Sequence, residues 1–395
     1  MKSVLIQGAT GSIGSSALSV LAEQRGEFRV TGLAARSKQN ELLDLARIWK
    51  PKSLALNDAH DETALRRESE SLGVDSVFIG EDAALRQAAG TEYDVLLNAM
   101  VGGAGIAATL SALDRGKSVA LANKETLVAA GDLVMESAKR NNAQLLPIDS
   151  EHSAILQCLA GESWSGIRTL WLTTSGGPFW GRRQSELHDE TPEQALKHPT
   201  WVMGAKITID SATLFNKGLE VIEACKLFGV DPAAVKVIRH RESVIHSMVE
   251  FTDGSFKAQL SNPDMRLPIL YALSHPNRVV SGLVASSPSD WSALHFDEVS
   301  FQDFPCLRLA YDALDRGGTI PCAMSAADEV AVQAFLEKRI PFTAIPEIIE
   351  NTMNTVTSRS ADSLENILLS DAEARQVAHS LCRTHEIVAG DLKCS

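Results

Sequence analysis

Seven residues, Gly8-Ala9-Thr10-Gly11-Ser12-Ile13-Gly14, constrain this chain more than any other stretch. They follow directly on a short apolar run, residues 3–6, and lead into a helical pattern carrying Leu18, Leu21 and Ala22. A second apolar run, Phe28 to Ala35, comes next. Strand, glycine turn, helix and strand in that order point to parallel strands joined by a crossover helix. Further apolar runs at 53–56, 76–79, 95–98, 118–121 and 144–148 continue the pattern, most of them separated by helical stretches such as Leu42 to Trp49. The expectation is an α/β chain with an N-terminal Rossmann-like parallel sheet over residues 1–149.

Beyond residue 150 the alternation weakens. Thr169 to Thr174, Ala205 to Asp210, Val235 to Ile238, Val244 to Phe251 and Ser255 to Leu260 read as strands of a second, mixed α/β domain, 150–275, with a hairpin at Asp253-Gly254. Residues 276–300 are rich in Ser, Pro and Asn and read as a linker. Cys306 to Leu314, Ser325 to Lys338, Ile345 to Met353 and Asp371 to Arg383 make 301–395 a helical C-terminal domain.

At 395 residues the chain is long enough for two or three cores. Its net charge of -13 argues against a general binder of nucleic acid or of anionic membranes, and leaves room for a local basic pocket. The six cysteines (158, 225, 306, 322, 382 and 394) are scattered without a CxxC pair, which fits reduced cytosolic thiols. The apolar start breaks at Gln7-Gly8, too early for a signal peptide, and no run is long enough for a membrane helix. The expectation is a soluble cytoplasmic protein.

The glycine turn is G-x-x-G-x-x-G, a weak signal that gains weight from its place between strand and helix. Such turns let a pyrophosphate approach the open N–H groups of a helix N-terminus. An NAD site carries an acid at the end of the second strand; here stand Arg36, Ser37 and Lys38, which favour the 2′-phosphate of NADP. Asn98 to Gly103 and Asn123-Lys124-Glu125 follow later strands on the ligand-binding edge of the same sheet.

The run Leu145 to Ile148 ends in Asp149-Ser150-Glu151-His152. On an extended chain, Asp149 and Glu151 share one face and His152 points away. Two close carboxylates call for a proton or a cation between them, and a hard divalent ion accepts such oxygen donors. A third acid lies on the helix opened by Asn216-Lys217; Glu220 and Glu223 both qualify. Ser175 beside Gly176-Gly177, and Ser211, Asn216 and Lys217 before or at a helix start, suit a phosphate. The polar segment near 176–204, with His198, Trp201 and Met203 at its end, has the composition of a closing lid, or of an ordinary surface excursion with Trp201 packed inside.

GATGSIG, LANKE, LLPIDSEHSAI, TSGGPF, HPTWVMGAKITIDSATLFNKGLE, SVIHSMVEF and QLSNPDMRLPI together resemble the 1-deoxy-D-xylulose 5-phosphate reductoisomerase family of the non-mevalonate isoprenoid pathway. The resemblance covers nearly the whole chain. It implies an NADPH domain, a catalytic and dimerisation domain, and a helical C-terminal domain. It implies Asp149, Glu151 and Glu220 as ligands of Mg²⁺, Mn²⁺ or Co²⁺. Lys124, Ser150, Glu151, Ser175, His198, Ser211, Asn216, Lys217 and Glu220 would meet the sugar phosphate, beneath a lid carrying Trp201 and Met203. Thr10, Gly11, Ser12, Ile13, Asn123, Glu125 and Gly204 would meet NADPH. Arg36-Ser37-Lys38 stands where family members often have Gly-Lys-Asn. The implied reaction is rearrangement of the ketose phosphate followed by hydride delivery, giving 2-C-methyl-D-erythritol 4-phosphate, with Glu151, Lys124 and Asp149 at its centre. A metal-free dehydrogenase would need no acid pair, and a non-catalytic NADP sensor would need no lid; the three acids and phosphate donors argue against both.

Overall fold

The computed structural model describes residues 1–201, 203–291 and 293–386. Val202, Ser292 and 387–395, with Cys394, lie outside the described residues, as does that end of the expected helical domain. The chain forms two compact units. The first comprises Met1–Thr126, Leu133–Ser153 and Asp264–Ser286; the second comprises Leu127–Asp132, Ala154–Pro263 and the residues from Ser287 onward.

In the first unit, β1 (Lys2–Gln7), β2 (Phe28–Ala35), β3 (Ser53–Leu56), β4 (Ser76–Ile79), β5 (Val95–Asn98), β6 (Ser118–Leu121) and β7 (Leu145–Pro147) form one parallel sheet in the order β4-β3-β2-β1-β5-β6-β7. Most of these strands read as continuous apolar runs because helices cover both faces of such a sheet. The order reverses between β1 and β5, the position where ligands bind beyond the strand ends of open α/β sheets. The backbone is tightest there: a Cβ on Gly8, at φ +84°, would overlap the Ala99 carbonyl.

Residues 264–286, which the sequence reading divided between central domain and linker, pack with this first unit. The helix Arg266–Ser274 buries Pro268 to Leu273 against the helix Ser12–Glu23, β6 and β7. Lys2 caps its end through the Leu273 carbonyl at 2.9 Å. Glu23 accepts from the Ser281 hydroxyl at 2.6 Å and the Gly282 N–H at 2.8 Å. An apolar helix with no partner in its own neighbourhood of sequence buries its face where one exists.

The second unit holds β8 (Ile167–Thr174), β9 (Val235–Arg239), β10 (Ile245–Phe251), β11 (Phe256–Leu260) and β12 (Asp297–Glu298), ordered β11-β10-β8-β9-β12. β8 and β9 are parallel and the other pairs antiparallel, so the sheet is mixed as expected. The expected strand at Ala205 to Asp210 is instead the helix Ala205–Ala212. Lys-Ile-Thr-Ile-Asp alternates with period two, yet Thr208 through Ala212 are all buried, so no single polar face exists to announce the helix. The helices Pro305–Arg316, Ile320–Leu336, Ala344–Thr355 and Leu364–Thr384 supply the expected helical region. Their core includes Met324, Phe335, Phe342, Ile345 and Ile349. Among the described residues, five cysteines are free and buried, and no helix is long and apolar enough to cross a membrane.

Candidate active site

In the first unit the glycine turn leaves β1 and opens the helix Ser12–Glu23, with Gly11 as its cap. Gly11 has no side chain to occupy the first-turn N–H groups, so Thr10, Gly11, Ser12 and Ile13 border an open helix N-terminus. A Cβ on Gly14 would overlap the Gly8 carbonyl and come within 2.6 Å of the Ala9 Cα, so turn and helix approach only with glycine there. Arg36 and Lys38 follow β2. Arg36 is 3.3 Å from Asp58 and Lys38 3.0 Å from Glu41, all four well exposed, so an incoming phosphate competes only with weak surface pairs. Asn123, buried after β6, donates to the Met100 carbonyl at 3.0 Å, the Gly102 carbonyl at 2.9 Å and Glu125 at 2.8 Å. It thereby ties the loop after β5 to the loop after β6.

The acid pair differs from its extended-strand picture. β7 stops at Pro147 and the helix Ser150–Cys158 begins three residues later, so Asp149 sits at the helix start and Glu151 in its first turn. Asp149 Oδ1 accepts the Glu151 N–H at 3.1 Å, as a capping carboxylate does. His152 does not point away: its Nδ1 lies 2.9 Å from Asp149 Oδ1, because helical spacing of three brings it back over the turn. Lys124 opens the helix Lys124–Arg140 and places Nζ 2.9 Å from Asp149 Oδ2. The Ser150 hydroxyl donates to Glu151 at 2.5 Å.

In the second unit, β8 delivers Ser175 to the Gly176-Gly177 turn, whose glycines have φ +92° and +68°. A Cβ on Gly177 would lie 2.6 Å from the Ser211 carbonyl, which packs this turn directly on the helix Ala205–Ala212. His198 joins the two: Nε2 is 3.2 Å from Ser175 Oγ and 3.1 Å from Ser211 Oγ. Its Nδ1 accepts the N–H groups of Thr200 at 3.1 Å and Trp201 at 2.8 Å. The ring proton therefore sits on Nε2, and burial holds the imidazole below its ordinary 6.5. A neutral ring donating toward two hydroxyls is a ready cradle for phosphate oxygens.

The helix Phe215–Phe228 starts after Leu214, a left-handed residue at φ +56°. Asn216 Nδ2 donates to Glu220 at 2.5 Å, and Lys217 pairs with the same carboxylate. Glu220 and Glu223 are both buried, so burial does not choose between them; Asn216 and Lys217 make their contacts with Glu220. Gly204 caps the helix Ala205–Ala212 and accepts from the Thr208 hydroxyl at 2.8 Å. Within 176–204, Phe179, Leu187 and Ala195 are rooted in the helical core, and among the described residues of 196–204 none belongs to it. Trp201 is half-buried rather than exposed, its ring tilted 6.3 Å from that of His246. Sequence reading missed Trp180 and Arg239, which brace the Ser175 turn; neither belongs to a ligand-binding pattern.

Three family profiles match the chain. One for 1-deoxy-D-xylulose 5-phosphate reductoisomerase covers residues 4–131, one for the C-terminal domain of that enzyme covers 145–228, and one for the DXP reductoisomerase C-terminal domain covers 260–377. The chain is 46% identical over 385 residues to the 1-deoxy-D-xylulose 5-phosphate reductoisomerase of Methylococcus capsulatus, covering 96% of this chain and 98% of that protein. Against the same enzyme of Listeria monocytogenes it is 46% identical over 382 residues, 96% of this chain and all of the relative. The structure of the Zymomonas mobilis enzyme in complex with NADPH has a TM-score of 0.90 at 38% identity, covering 97% of this chain and 99% of that one. A DOX-P reductoisomerase complex with NADPH, fosmidomycin and magnesium gives 0.91 at 38% identity, covering 97% and 98%. With similarity running end to end, this chain belongs to the 1-deoxy-D-xylulose 5-phosphate reductoisomerase family.

Proposed function

We propose that the protein catalyses the NADPH- and divalent-metal-dependent rearrangement and reduction of 1-deoxy-D-xylulose 5-phosphate to 2-C-methyl-D-erythritol 4-phosphate, a step of non-mevalonate isoprenoid biosynthesis. The observation that carries this reading is end-to-end similarity to enzymes of that name.

Asp149, Glu151 and Glu220 are the proposed metal ligands. Their chemistry fits: all are oxygen donors, Asp149 and Glu151 at the start of one helix and Glu220 in the second turn of another, and Lys124 beside Asp149 and Lys217 beside Glu220 supply positive charge. Mg²⁺, Mn²⁺ or Co²⁺ held there supplies Lewis-acid stabilisation of oxygen charge as carbon–carbon bonds rearrange. Lys124 fixes the Asp149 carboxylate, and His152 sets its second oxygen. Ser150 and Glu151 face the sugar in this reading. Ser175, His198, Ser211, Asn216 and Lys217 receive the phosphate, so that binding energy from the phosphate orients the reacting carbons. Trp201 and Met203 close over them and exclude water.

Thr10, Gly11, Ser12 and Ile13 are assigned to the NADPH pyrophosphate, and Arg36, Ser37 and Lys38 to its 2′-phosphate. Asn123, Glu125 and Gly204 complete the proposed cofactor contacts. We assign residues 1–149 to cofactor binding, 150–275 to catalysis and dimerisation, and 301–395 to the helical domain, with the packing of 264–286 noted above. A homodimer is supported by β11, which ends its sheet and exposes Phe256 and Leu260 along an edge that invites pairing. Free buried thiols support a cytoplasmic location.

The test is NADPH oxidation followed optically with 1-deoxy-D-xylulose 5-phosphate and Mn²⁺ or Mg²⁺, with and without chelator. Metal-dependent loss of absorbance is expected. Folded protein that binds NADPH but turns over with no divalent ion would overturn the proposal.

A further inference from the structure

The turn that presents Ser175 is braced by side chains outside the proposed chemistry, all in the second unit. At Gly176, a Cβ would lie 2.7 Å from Trp180 Cε3 and 3.0 Å from Arg239 Nε. Trp180 stacks on Phe304 with ring centroids 5.6 Å apart and planes 17° apart. The Arg239 guanidinium lies over the Trp180 ring, 4.5 Å from its centroid. From the end of β9, Arg239 donates through Nε to the Ser175 carbonyl at 3.3 Å and through Nη1 to Asp297 on β12 at 2.9 Å. Only 18% of its side chain is exposed. The opposite side of the turn meets the Ser211 carbonyl, as described for Gly177. Ser175 thus leaves a backbone plate pressed between a cation–aromatic stack and the helix that carries Ser211.

We propose that Arg239 is a positioning residue for phosphate recognition, holding the Ser175 hydroxyl in place through the Ser175 carbonyl and the Trp180 ring. This rests on Ser175, His198 and Ser211 being the phosphate site. A guanidinium suits the task because it is planar, stacks on an aromatic ring and sends N–H donors in two fixed directions. Asp297 offsets its charge, so Arg239 acts by geometry rather than as an anion anchor. A lysine in its place keeps the charge but neither the plane nor the fork.

Arg239→Met, Arg239→Lys and Ser175→Ala should be compared in full-length protein for KM of the sugar phosphate, KM of NADPH, kcat and melting temperature. Arg239→Met should raise the sugar-phosphate KM roughly three- to tenfold, the scale of one net hydrogen bond, with NADPH KM unchanged. Arg239→Lys should recover less than half of that rise. Full recovery by lysine, or an unchanged KM in Arg239→Met, would overturn the proposal. An unchanged KM in Ser175→Ala would overturn the phosphate-site reading itself, which separates the two failures. Should Arg239→Met not fold, Asp297→Ala frees Nη1 at a half-exposed position and should raise the same KM about twofold. No change there would also refute the role.

Discussion

Lys124 Nζ lies 2.9 Å from Asp149 Oδ2, and both side chains are about nine-tenths buried. An amine so placed sets a positive charge against a largely buried carboxylate beside the spot where the proposed cation binds. Replacing Lys124 with Met should destabilise the protein by about 3–5 kcal/mol, the penalty of breaking a largely buried ion pair by removing one member. Added Mg²⁺ should raise the melting temperature of the variant more than that of the parent, since ligand binding to the folded state offsets part of the loss. Equal shifts in the two proteins would detach Asp149 from the metal.

Glu151 offers a cleaner separation of chemistry from folding. Glu151→Gln keeps shape and a hydrogen-bonding oxygen while removing the charge. We expect kcat to fall roughly a thousandfold, equivalent to about 4 kcal/mol, with NADPH affinity nearly intact. Fluorescence titration of NADPH and steady-state turnover on one preparation check this; parallel loss of both would defeat the assignment.

His198 makes stability depend on pH in a predictable direction. Burial holds its folded-state value below 6.5, so in the window between the two values the unfolded chain binds more protons than the folded one. Stability contributed by the neutral ring is present above 6.5 and declines as pH falls through that window. His198→Gln should flatten this part of the melting-temperature profile. It should also raise the sugar-phosphate KM by roughly tenfold, the scale of one or two hydrogen bonds. An identical pH profile in parent and variant would rule the explanation out.

Gly14 tests the nucleotide turn without touching charge. A methyl group there collides with the Gly8 carbonyl, and backbone is the colliding partner, so the turn itself must move. Gly14→Ala should weaken NADPH binding roughly tenfold or more, in line with overpacking penalties of about 1–3 kcal/mol. The expected signature is a raised NADPH Kd with metal-induced stabilisation preserved.

Asp328 carries a prediction of opposite sign. Lys206 Nζ lies 2.6 Å from Asp210 and 2.7 Å from Asp328, so one amine serves two buried carboxylates. Burial, then the Asp210 charge, pushes the Asp328 carboxyl well above its ordinary 3.8, with Lys206 acting against both. Here the folded state binds the extra proton, so the stabilisation is complete below 3.8 and is lost as pH rises toward the raised value. Asp328→Asn removes that loss. Its melting temperature relative to the parent should climb as pH rises above 3.8, and a constant difference would contradict a raised Asp328 carboxyl.

The strand pattern of the first unit was legible because a parallel sheet covered on both faces needs uninterrupted apolar runs, and those runs stand out. Glycines at 8 and 14 were legible as well, since backbone crowding leaves little choice of residue. The acid cluster could be named from its composition and its resemblance, but not its shape. Alternation along an extended chain placed His152 on the wrong face, and only the helix starting at Ser150 returned its ring to Asp149. At Ala205–Ala212, β-branched residues at neighbouring positions argued for a strand, and burial of Thr208 to Ala212 overrode that local preference. The contacts that brace Ser175 involve residues as distant as Trp180, Arg239, Asp297 and Phe304. Local order in a chain follows from side-chain periodicity and backbone sterics, which are written in neighbouring residues. Which distant side chains meet is decided by packing, because a stacked ring or a shared amine exists only once separate elements have closed on one another.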